Sequence, residues 1–179
     1  MSRAWRLGPG LIEEPVEPEA FRAEVDRLLD EATTARSHPA KLLAMLTSVA
    51  PLLRIAGRHE ESRKAATAAI ALAELVEDAN AAFANRIALA QVMQREGRYE
   101  IATPLFDQLI AQAHSSPDLA HFLHDILFNA GVNFYSQGRH AEAARFFRKS
   151  QALRRSANME DLLELSAEAI RQNAAGAAR

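Results

Sequence analysis

The chain has 179 residues, 49% apolar and 25% charged, with a formal charge of −2 and no cysteine. A chain of this length can bury roughly 70% of its unfolded surface without covalent staples, and this balance of residues excludes wholesale disorder and a collagen-like repeat. The missing cysteines exclude disulfides, thiolate nucleophiles and Cys-ligated zinc or iron–sulfur clusters, while the small net charge gives no overall attraction to nucleic acid or an anionic membrane.

The composition favours helix: 37 alanines stand against 5 threonines, 6 valines and 8 isoleucines. No apolar run reaches the roughly 18 residues of a membrane-crossing helix, and the start Met-Ser-Arg-Ala-Trp-Arg has no apolar signal segment. The expectation is a cytoplasmic protein without membrane contact.

Residues 1–16 hold Gly8, Gly10, Pro15 and a cluster of acids, show no helical period, and are expected to form a flexible arm. The arm carries the single tryptophan, Trp5, with Leu7, Leu11 and Ile12. Three placements stay open: in the protein's own groove, in a neighbour's groove to make a homo-dimer, or disordered or docked on the outer surface.

From Pro18, the residues Phe21, Val25, Leu28, Leu29 and Ala32 recur at three- and four-residue steps, which predicts an amphipathic helix ending near Arg36. Ser37-His38-Pro39 opens the next helix, because a proline in the first turn forfeits no intrahelical hydrogen bond. Pro51, deep inside that helix, predicts a kink near Thr47. Ser115-Ser116-Pro117 repeats the start signal ahead of Leu119, Leu123, Ile126, Leu127 and Ala130.

Gly57, Gly97 and Gly138 each close a helical stretch and are each followed by arginine. Glycine takes the left-handed position at a helix end at least steric cost. The three lie 40 and 41 residues apart, a period that signals stacked repeats. Each unit reads as two helices around a Gly-Arg turn: 39–56 with 59–76, 79–95 with 99–113, and 118–137 with 140–157. The expected organisation is a single helical domain over 17–173, with repeats at about 39–76, 79–113 and 118–157. A terminal cap helix at 159–173, with Leu162, Leu163, Ser166, Ala169 and Ile170 on one stripe, closes it before a disordered tail at 174–179.

Aligned on the turn glycines, Tyr99, Ala102, Phe106 and Leu109 follow Gly97, and His140, Ala143, Phe147 and Ser150 follow Gly138. Upstream, small residues recur at Ala50, Ala90 and Gly131. These patterns resemble the tetratricopeptide repeat, and Gly97–Phe106 is similar to the longer repeats of kinesin light chains and related bacterial proteins. Arg86 departs from the family, which places a large apolar residue there. The resemblance implies an all-α, right-handed α-α superhelix whose concave face is lined by the first helix of each pair.

Removing the packing positions from those first helices leaves candidate binding residues: Arg54, with Thr47 and Pro51, in the first unit; Phe83, Ile87, Gln91, Gln94 and Arg95 in the second; Phe128, Asn129, Val132 and Tyr135 in the third. Aromatic faces can bury side chains while Gln and Asn amides pair with peptide N–H and C=O groups, which suits a bound peptide.

Other chemistry is sparse. His121, His124 and Asp125 have ligand-like spacing on one helix but read as a solvated polar face, and no metal or cofactor is expected. Arg145, Arg148, Lys149, Arg154 and Arg155, against Glu142, form a basic strip read as a solvated convex face, with nucleic acid not the expected partner. The acids Glu60, Glu61, Glu160 and Asp161 fall at helix starts, where the helix dipole favours them. No phosphate loop or Gly-x-Ser-x-Gly elbow is present, and no residue is assigned a catalytic role. The expected function is a non-catalytic adaptor that binds a protein or peptide of unknown identity. The alternatives are a ligand-sensing module that changes conformation or oligomeric state, and a structural homo-oligomer.

Overall fold

The structure, a computed structural model, describes residues 4–35 and 37–178. Arg36, where the first helix is expected to end, lies outside the described residues, as do the first three residues of the arm and the last residue of the tail. The chain is all-α in class: α1 (Pro18–Thr34), α2 (Pro39–Ile55), α3 (His59–Leu75), α4 (Ala79–Arg95), α5 (Tyr99–Ser115), α6 (Leu123–Ser136), α7 (His140–Ser156) and α8 (Glu160–Ala177). Among the described residues no helix is long and apolar enough to cross a membrane.

The helices fall into two compact units, the first holding the arm up to Arg6 with Glu13–Gly97, the second Leu7–Ile12 with Arg98 onward. In the first unit α1 packs on α2, α2 on α3 and α3 on α4. Its core joins Phe21 and Val25 of α1 to Val49, Ala50 and Leu53 of α2 and Ala65 and Ala66 of α3. Alanines at these positions let the helices approach closely, and the fully buried Ser62 hydroxyl donates to the Ala50 carbonyl at 2.6 Å. The second unit packs α6 on α5 and α7, and α7 on α8. There Phe128, Val132 and Phe134 of α6 meet Ala143 and Phe147 of α7 and Ala169 of α8. Ser150 of α7 repeats the device, donating to the His124 carbonyl at 2.6 Å.

The turn glycines have φ of 78°, 73° and 71° at Gly57, Gly97 and Gly138. After Gly57 and Gly138 the next N–H reaches back five residues, from Arg58 to the Leu53 carbonyl at 2.8 Å and from Arg139 to that of Phe134 at 3.0 Å. These bonds satisfy carbonyls that a helix end leaves unpaired. The same geometry recurs without glycine between α3 and α4 and between α7 and α8, where Glu77 and Asn158 take φ of 57° and 54°.

Three elements differ from expectation. The helix expected over 118–137 begins as a 3-10 segment, Pro117–Phe122, and becomes α-helical at Leu123. α8 continues to Ala177, past the expected end at 173, because Asn173 bonds the His140 ring and carbonyl, each at 3.0 Å, and holds the last turns on α7. Finally, the arm forms a hairpin: β1 (Trp5–Leu7) pairs with β2 (Glu13–Pro15) around a 3-10 turn at Pro9–Leu11. Hydrogen bonds from Val16 to the Ala4 carbonyl, 3.0 Å, and from Gly8 to the Ile12 carbonyl, 2.7 Å, close it.

Candidate protein-interaction site

In the first unit, α2 and α4 each carry an arginine in their last turn, Arg54 and Arg95, where the helix dipole favours a cation. Glu13 of β2 meets both. Arg54 donates Nη1 to Oε2 and Nη2 to Oε1, the latter at 3.0 Å, and Arg95 Nη2 donates to Oε2 at 2.9 Å. The side chains of Arg54, Arg95 and Glu13 are 5%, 13% and 15% exposed. Burial works against the Glu13 carboxylate, but the two guanidinium groups, Arg54 foremost, outweigh it and hold its pKa below the ordinary glutamate value. Beside this cluster, burial lowers the pKa of His59, with Arg95 and Arg54 acting in the same direction and Glu96 opposing them. The Arg54 Nε is buried without a hydrogen-bond partner.

Of the other first-unit candidates, Phe83, Ile87 and Gln94 are buried and Gln91 is half-buried. α4 also contributes Asn85, which the sequence reasoning passed over; its amide donates to the Thr47 hydroxyl and the Ala81 carbonyl, both at 2.8 Å.

In the second unit, Phe128 and Val132 of α6 cluster around Leu11 of the arm, which is completely buried. Phe128 also packs on Phe147, ring centroids 5.6 Å apart, and under the Arg154 guanidinium at 4.4 Å. Tyr135 is half-buried, its ring edge against His140 at 5.4 Å, and Asn129 donates to the Asp125 carbonyl at 2.9 Å. The arm's backbone is read by Gln172 of α8, an amide the sequence reasoning missed. Its Oε1 accepts from the Leu11 N–H at 3.2 Å and its Nε2 donates to the Gly8 carbonyl at 3.1 Å. Leu11 holds a left-handed φ of 59°, a strain of about 1–2 kcal/mol for a residue with a side chain.

Arg154 does not belong to the basic strip. It is 1% exposed, with Nη1 bonded to Ser166 Oγ at 2.9 Å and to the Leu162 carbonyl at 3.2 Å, and Asp125 stands 3.9 Å from Nη2. The group of His121, His124 and Asp125 is also divided by the change of helix type: His121 lies in the 3-10 segment with its ring 4.0 Å from that of Phe122, while His124 Nδ1 accepts from Arg154 Nε at 3.5 Å. Burial lowers the His124 pKa, with Arg154 assisting and Asp125 opposing. Among the described residues no group of three His, Asp or Glu is placed to hold a metal ion.

Tandem helical hairpins, small residues at the closest approaches and glycine-arginine turns at a 40-residue spacing define a helical-repeat protein. The tetratricopeptide repeat model matches residues 81–156, from α4 to the end of α7, and identifies that stretch as tetratricopeptide repeat. No curated protein registers as a relative. Repeats of this family generally mediate protein–protein interactions.

Proposed function

We propose that this protein is a non-catalytic adaptor that captures a peptide or protein segment on the first-helix faces of its repeats. The residues assigned to that face are Arg54, Phe83, Ile87, Gln91, Gln94 and Arg95 in the first unit, and Phe128, Asn129, Val132 and Tyr135 in the second. The observation behind this reading is the extended strand β2, whose Glu13 is seated on Arg54 and Arg95. A surface that takes an extended segment of its own chain has the polarity to take one from another protein, through side-chain pockets and backbone-reading amides. A cytoplasmic setting, where a cysteine-free chain needs no oxidation, belongs to the same reading.

The test is affinity capture from native lysate with the wild-type chain and with a Gln91→Ala, Asn129→Ala, Tyr135→Ala variant. Loss of a specific partner with unchanged helicity is expected. Capture of the same partners in the same amounts refutes the assignment.

A further inference from the structure

We infer that Arg54 and Arg95 form a receptor for one carboxylate of an incoming acidic peptide, and that Glu13 is an internal stand-in occupying it until such a segment displaces the arm. The inference rests on the peptide-binding reading above and adds a partner chemistry and a gate.

Two helices bring two guanidinium groups together at a largely buried place, which is costly for like charges unless an anion is present. That anion comes from Glu13, 41 residues away from Arg54 and 82 from Arg95 along the chain. Arg54 grips it with both terminal nitrogens, the fork geometry that guanidinium offers to a carboxylate. Its buried, unpartnered Nε is a further donor for a ligand that reaches deeper.

Apart from Glu13, β2 itself offers little hold: it has three residues, and the flanking Ile12 and Val16 are 51% and 55% exposed, while the arm's other anchor is the buried Leu11 in the turn before it. Exchanging one carboxylate for another never strands the arginines, so what favours the internal ligand is the arm's effective concentration, of millimolar order for a short tether, together with the burial of Leu11. The partner is therefore an extended peptide presenting a glutamate, as the stretch Ile12-Glu13-Glu14 does.

Trp5, the single tryptophan, lies in β1 and reports the arm. A synthetic peptide copying residues 7–16, which contains no tryptophan, is titrated into the full chain while Trp5 emission is followed. A saturable red shift is expected, with at least tenfold weaker action by the same peptide carrying glutamine at the position of Glu13. Measured by titration calorimetry, the chain carrying Glu13→Gln should bind the glutamate peptide at least tenfold more tightly than wild type, and Arg95→Gln should erase the preference for glutamate over glutamine. Equal potency of the two peptides on the wild-type chain overturns the inference, whatever the variants do, as does an unmoved Trp5 at millimolar peptide. If the glutamate preference holds while the triple variant captures partners normally, the wider groove reading fails and the carboxylate receptor stands; the opposite pair of results keeps the groove and removes the receptor.

Discussion

A methyl group placed on Gly131 would stand 2.6 Å from the Phe147 ring, so α6 and α7 lie as close as they do because position 131 has no side chain. The first unit solves the same problem with the opposite distribution of volume. There Ala50 keeps its methyl and shares its cluster with Ala65 and Ala66, where α3 offers no ring.

Gly131→Ala is thus an overpacking substitution, and it should lower stability by about 1–3 kcal/mol. Phe147→Leu added to it should return part of that loss, because the ring is the atom set in the way. Chemical denaturation of the single and double variants measures both effects; a double variant no more stable than Gly131→Ala would contradict the packing account.

Arg154 ties α7 to α8 through Ser166 and the Leu162 carbonyl, and covers Phe128 of α6. Arg154→Ala leaves a cavity and unpaired polar atoms and should cost about 3 kcal/mol or more. Arg154→Met, which refills the volume, should cost markedly less. Hydrogen exchange in α8 should accelerate in the alanine variant before exchange in α2 or α3 does, since the lost bonds belong to the second unit.

The Glu13 contact sets a pH dependence for the arm. Its folded-state pKa is lowered, so its contribution is complete above the ordinary glutamate value and is lost only as pH falls through the folded value, below the usual carboxylate range. Trp5 emission should stay constant from neutral pH down to that range and then shift. In Glu13→Gln the emission should start shifted and lack this acid transition.

Glu77 holds the left-handed turn between α3 and α4, a conformation that costs a side-chain-bearing residue about 1–2 kcal/mol. Glu77→Gly relieves this against a smaller loss of chain entropy, and should raise the denaturation midpoint by the equivalent of about 0.5 kcal/mol. A lower midpoint would show that the Glu77 side chain supports the turn.

The helices and the glycine turns were legible because their causes are local: apolar residues at three- and four-residue steps, proline in a first turn, glycine where φ is positive. The turns at Glu77 and Asn158 were not, since neither residue type marks such a turn as glycine does. For the candidate site, Arg54 and Arg95 were legible by their places on the first helices. Glu13 and Gln172 were hidden, because their contacts join segments far apart in sequence. Arg154 counted as a surface charge until α8 supplied its partners.

From sequence alone came the all-α class, the repeat period and the small residues at the helix contacts, Ala50, Gly131 and Ala143 among them, since periodicity and side-chain volume act at short range. Only the tertiary structure decided what the arm does. A hairpin with no helical period carries no local signal of where it docks, and its seat depends on two arginines from different helices converging where a buried charge pair requires an anion.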